Sequence, residues 1–301
     1  MKGVIRFLLF GNYFYGICAV ALSIEASLQQ KSGLNTIPYY LFVFIATVLY
    51  YTHAYIAEPS GNSSNKRSAW YYDNRVMIRW SQLLLTLLFI FFAFYLIRRN
   101  ISGLPDISLV QWGLIAVFPL VAAFYYGSTA PSRATHSLRN SGWLKPFVIG
   151  FVWAGFVTVY PVVFYCIEYK TTYQPEIISF LLFIKNFMYV TMLCIMFDIK
   201  DYAADNNQQL KTFVVSYGLR KTIFYILIPL TAVGLGTFLV FAAMRGFPFL
   251  RVLINTVPFV LLIIVAYSLH RRKSILYYLA IIDGLMLAKA ICGILGMILI
   301  K

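Results

Sequence analysis

Charge is scarce in this chain, and acid scarcest: 301 residues carry 10 Asp and Glu against 25 Lys and Arg, and all charged residues together make up 12%. Hydrophobic residues account for 61% and the mean hydropathy is +0.77, which excludes a water-soluble domain because so much apolar surface has no interior to hide in. Period-2 alternation is missing, which excludes a membrane barrel. Cys18, Cys166, Cys194 and Cys292 lie in or beside apolar runs with no CxxC spacing. They read as small packing residues, with no disulfide framework or zinc site. No P-loop, soluble-type catalytic triad, low-complexity tail or Pro/Ser-rich linker occurs, so residues 1–301 read as one membrane domain.

What is present is a series of apolar runs around 4–24, 38–57, 80–97, 108–127, 146–166, 177–197, 221–244, 249–269 and 275–299. About 30 Å of hydrocarbon takes roughly 20 helical residues, and backbone groups inside lipid must be satisfied within the chain. The expectation is an all-α membrane protein of nine transmembrane helices. Lys2 and Arg6 ahead of an apolar run, with Ala19-Val20-Ala21 after it, also fit a signal peptide. The length of that run and its Asn12, Tyr13 and Tyr15 suit a retained helix better.

Basic residues set the orientation. With the N-terminus inside, sixteen of the Lys and Arg face the cytoplasm, seven face outward, and Lys185 and Lys289 fall within spans. The C-terminus is then outside, and the expected location is a cell inner membrane. The net charge of +15 is accounted for by this asymmetry and by anionic membrane lipid, with no nucleic-acid partner.

Three longer loops, 58–79, 128–145 and 198–220, fall on the cytoplasmic face by this count and are expected to close over one cavity as cap loops. The last contains "FDIKDYAADNNQQLKT". On a helix continuing from the sixth span, Asp198, Asp201 and Asp205 stand at i, i+3 and i+7 and share a face. Three like charges so placed call for a cation. Mg²⁺, which takes carboxylate oxygens while keeping waters and substrate phosphates, is the natural candidate, with Lys211 and Thr212 two turns on for an anion. A solvated acidic helix end is the simpler alternative.

"FDIKDYAAD", then "LKT", then "VVSYGLRKT" resembles the second aspartate-rich motif of the UbiA superfamily of intramembrane prenyltransferases, DxxDxxxD followed by Lys-Thr and a glycine opening the next helix. The nine runs, the place of the motif between runs six and seven, "LRNSGWLKPFVIGFVWAGFVTVYPV" and "IIDGLMLAKA" are similar to UbiA-type proteins too. The resemblance implies a UbiA-type helical bundle whose lateral cavity admits an isoprenoid diphosphate donor. Its diphosphate would sit on Mg²⁺ at Asp198, Asp201 and Asp205, assisted by Lys211. Arg75, Arg79, Arg139 and Lys145 are further diphosphate contacts, Tyr126 resembles a family tyrosine at the end of span four, and Asp283 is a candidate for orienting a lipophilic acceptor. Either Asp198→Ala or Asp201→Ala is then expected to abolish metal-dependent donor binding.

The chain departs from the family at the first motif. The end of span two reads "YYTHAYIAEPSGN", with Thr52 and His53 near the expected Asn-Asp and Glu58 as the nearest acid, and Gln209 replaces a common glycine in the second motif. Three readings follow. One Mg²⁺ is used, with His53, Asp73 or Glu58 compensating; the donor is held mainly by basic residues; or transferase chemistry is lost and a lipid-diphosphate or quinone-like binding role is kept. A transporter is the rival from another class, on the strength of Asn12, Lys185, Asn186, Asp283 and Lys289 inside spans. Lys185 lies 13 residues before Asp198, about 20 Å along a helix, so it is expected to snorkel to the far interface or to pair with another acid. Quinone-ring, carotenoid, sugar-phosphate and haem-type acceptors all fit.

Overall fold

In the computed structural model, residues 2–56, 66–126, 142–171, 173–174, 176–207, 210–271 and 273–300 are described, and their regular secondary structure is entirely helical. The helices are α1 (Lys2–Phe10), α2 (Tyr13–Gln30), α3 (Ile37–Ile56), α4 (Lys66–Asp73), α5 (Arg75–Arg99) and α6 (Leu109–Tyr126). Then come α7 (Lys145–Tyr169), α8 (Ile177–Asn207), the short α9 (Phe213–Tyr217), α10 (Leu219–Met244), α11 (Phe249–Ser268) and α12 (Ile275–Ile298).

Each apolar run falls on a helix, but not each is a full span. By length and composition α5, α7, α8, α10, α11 and α12 are able to cross a membrane, and α1 with α2 makes a seventh although the pair is bent by 63°. The apolar parts of α3 and α6, Ile37–His53 and Leu109–Tyr125, are shorter. The chain is therefore a multi-pass helical membrane protein with six such helices, or seven, among the described residues, where the sequence predicts nine spans.

The first run also differs in register. It breaks at Gly11-Asn12, where Asn12 takes a left-handed conformation, and α2 restarts and continues to Gln30 instead of ending near residue 24. A broken helix frees carbonyl groups, and here a buried arginine takes one up. Arg67 Nη2 donates to Phe10 O at 2.9 Å and its Nε to the same oxygen at 3.2 Å, while Tyr71 Oη donates to it at 2.9 Å. Arg67 also donates to Asn12 Oδ1, and Asn12 Nδ2 donates to Thr52 Oγ1 at 3.0 Å. The bend is thus locked to α3 and α4.

Around this, α8 is the axis of the bundle: 61% of its apolar stretch is buried inside the protein, against 11% for α5 at the periphery. Leu182, Tyr189, Met192, Ile195 and Met196 carry the α8 contribution to the main core, where α7 and α10 pack against it and α2 meets α3 and α12. Close approach depends on small residues. A Cβ at Gly150 would come 2.2 Å from Thr191 Oγ1, so α7 lies nearly backbone to backbone on α8.

Candidate functional site

α8 runs unbroken through Asn207, so the three aspartates do share one helix, and the bundle separates them. Asp198 and Asp205 are buried, whereas the Asp201 side chain is 41% exposed and pairs with Lys200 at 3.1 Å. The inward pair meets α7. Lys145, at the first turn of α7, donates to Asp198 Oδ1 at 3.0 Å and lies within electrostatic reach of Asp205 and of Tyr125 at the end of α6.

One cation between two acids leaves acceptor capacity unused. Asp198 Oδ2 and Asp205 Oδ2 are both buried without a hydrogen-bond partner among the described residues. Burial pushes the Asp205 carboxyl above the usual carboxylate range, with Lys145 opposing the shift. Such orphaned oxygens are costly unless something arrives to use them. Among the described residues no three His, Cys, Asp or Glu side chains are gathered closely enough to hold a metal ion. Mg²⁺ does not need three, since one or two carboxylates with water and substrate phosphates suffice. The hard oxygen pair fits it in kind.

The roof of this site is partly described. Gly142, just before α7, rests on the chain at Lys211 and Thr212: a Cβ there would stand 2.6 Å from Lys211 C and 2.7 Å from Thr212 N. Thr212 Oγ1 caps α9 by accepting from Val215 N, and the Lys211 side chain is exposed. Of the other sequence candidates, Arg75 and Arg79 are exposed at the start of α5, which packs chiefly on α3 and α4. His53 is exposed while its neighbour Thr52 is buried against Asn12. Arg139, Glu58, Gln209 and the Tyr126 side chain lie outside the described residues.

Asp283 is buried in α12, close to Tyr15 and within the field of Arg67, with its carbonyl accepting from Cys18 Sγ at 3.9 Å. It belongs with an aromatic group rather than with Lys145. Tyr15 stacks on Tyr51 at 4.7 Å, and Tyr51 Oη accepts from Trp153 Nε1 at 2.5 Å. Arg67, Tyr125 and this aromatic group were not singled out from the sequence. The only available signal was an arginine in a loop and three aromatics among 23 Tyr and 5 Trp.

A second charged cluster occupies the middle of the bundle. Glu25 of α2 accepts from Lys185 of α8 at 3.2 Å and from Lys289 of α12 at 2.5 Å. Lys185 also donates to Gln29 Oε1 at 2.7 Å, and Gln29 Nε2 reaches Asn255 of α11 at 3.0 Å. All five side chains are buried, so of the two fates open to Lys185 the structure shows pairing with an acid.

No family model, curated protein or solved structure matches this chain.

Proposed function

We propose that the protein is an intramembrane prenyltransferase that moves a polyprenyl group from an isoprenoid diphosphate to a lipophilic acceptor, within a nine-span UbiA-type bundle whose N-terminus is cytoplasmic. The observation that carries this reading is the pair of buried, partnerless carboxylate oxygens on Asp198 and Asp205 beside Lys145, at the end of the central helix. That arrangement suits a diphosphate brought in with a divalent cation, and the sequence around it is the part that resembles the family.

When bound, Mg²⁺ would neutralise charge on the departing diphosphate, held by Asp198 and Asp205 with Asp201 at the rim. Lys145 keeps the Asp198 carboxyl aimed inward and adds a cation on the leaving-group side, and the exposed Lys211 is assigned to the outer phosphate. The allylic C–O bond breaks with its electron pair going to the diphosphate, the acceptor's nucleophilic atom bonds the allylic carbon, and the acceptor loses a proton.

The test is the thermal stability of the purified protein in detergent with a panel of isoprenoid diphosphates, in Mg²⁺ and in EDTA. A Mg²⁺-dependent gain that Asp198→Asn removes supports the reading, and no gain at any chain length overturns it. The second reading is a transporter or non-catalytic lipid-binding protein, in which the buried Glu25, Lys185 and Lys289 would act as a charge relay and not as a fixed clamp. Uptake of an isoprenoid diphosphate into proteoliposomes, lost in the better tolerated Lys289→Met, would put that one first.

A further inference from the structure

One cavity among the described residues is lined by none of the side chains of the two charged clusters. It is a cleft of about 360 Å³ between α10 and α11, open at the protein surface and walled by Phe224, Leu227, Ile228, Ile263 and Tyr267 among others. That volume is in the range that holds a small ligand. Its polar residue on the floor, Thr231, is already satisfied: Oγ1 donates to Leu227 O at 2.7 Å and contacts Met192 Sδ at 3.0 Å. The cleft therefore offers an occupant dispersion and burial of hydrocarbon, and no hydrogen bond inside.

Its end near the membrane surface is different. Ile223 and Phe224 follow Arg220 and Lys221 within one helical turn, and Ala266 and Tyr267 precede His270 and Arg271 by one turn. All four of those polar side chains are exposed, and Arg220, Lys221 and Arg271 make no ion pair with a described residue. From residue 206 to residue 282 the sequence contains no Asp or Glu at all. A cleft for a chain thus ends beneath a group of unneutralised cations.

We infer that the α10–α11 cleft is a binding site for an anionic glycerophospholipid, with one acyl chain in the cleft and the headgroup phosphate on Arg220, Lys221 and Arg271. The inference stands apart from the transferase reading. Thr231 meets α8 at Met192, six residues before Asp198 and about a third of a turn round the helix, so the cleft opens on a different side of α8 from Lys145. Tyr267, 63% exposed at the mouth, stands where tyrosine sits at a membrane interface.

Native mass spectrometry of the full chain in neutral detergent, offered equal phosphatidylglycerol and phosphatidylcholine of identical chains, tests this. The expected result is retention of phosphatidylglycerol. In Arg220→Gln/Lys221→Gln the preference falls roughly thirtyfold, from about a fivefold loss per cation near a membrane surface. Ile263→Trp, which fills the cleft from an exposed position, removes retention of both lipids while the melting temperature without lipid stays near that of the parent. Equal retention of the two lipids by the parent overturns the inference, as does a preference that survives both variants. Displacement of phosphatidylglycerol mole for mole by an isoprenoid diphosphate, blocked by Ile263→Trp, would instead assign the cleft to the donor's tail.

Discussion

The two buried charge clusters are opposites in their arithmetic. At the end of α8, two inward carboxylates share one lysine, two oxygens stay unbonded, and Lys145 is 26% exposed. In the middle of the bundle, one carboxylate serves two lysines and both of its oxygens are taken. The excess positive charge there is met by fixed dipoles and rings: Gln29 Oε1, the Phe238 face 5.5 Å from Lys185, and the Tyr189 face 5.8 Å from Lys289. Gly293 leaves the space for this, since a Cβ there would lie 2.4 Å from Glu25 Cγ. Unused acceptors near an opening suit a visiting cation. Saturated acceptors in a closed core suit a clamp, here one that ties α2, α8 and α12 together and reaches α11 through Asn255.

On that contrast, the largest stability effect belongs to the clamp. Glu25→Gln leaves two buried lysines without a counter-ion, and removing one partner of a buried ion pair costs about 3–5 kcal/mol. Lys289→Met should cost far less, because Glu25 and Lys185 still neutralise each other. Unfolding in detergent measures both, and equal costs would mean that the cluster is not organised around the glutamate.

Little of this clamp was legible in the sequence, for a physical reason. An apolar run shows where a helix is but not where it breaks, and reading the first span as 4–24 places Glu25 at the membrane edge. The turn at Gly11-Asn12 shifts α2 inward, so that Glu25 and Gln29 become core residues. Their partners are 160 and 264 residues away, beyond any local pattern. The aspartate helix was legible because i, i+3, i+7 is a local signal. Which of its members turn inward was not, since that depends on where Lys145 docks. The same limit hid Arg67, whose loop position gave no hint that a broken helix needed its guanidinium.

The next effect separates the aspartates. A ligand at about a hundred times its Kd adds about 2.7 kcal/mol of stability, and Asp198→Asn should remove that gain from the Mg²⁺ and diphosphate pair. Asp201→Asn should leave most of it, and its own cost to folding should be within about 1 kcal/mol, as for exposed ion pairs. Thermal shifts on the two variants decide. Equal loss in both would mean that Asp201 turns inward when the donor binds, restoring the three-carboxylate arrangement that the sequence suggests.

The smallest effect is in pH. Burial holds the proton on Asp205 to a higher pH than on an ordinary aspartate, and a metal ion needs the carboxylate. The Mg²⁺-dependent thermal gain should therefore rise with pH through the acid range and level off once Asp205 is ionised. Without metal the sign reverses. A carboxyl whose folded pKa is raised contributes stability that is fully present below its unfolded pKa, about 3.9, and is lost as pH rises through the folded value. Asp205→Asn should flatten both slopes, because the amide neither titrates nor repels Asp198. A Mg²⁺ gain with the same pH profile in parent and variant would take Asp205 out of the metal site and leave Asp198 as its single inward carboxylate.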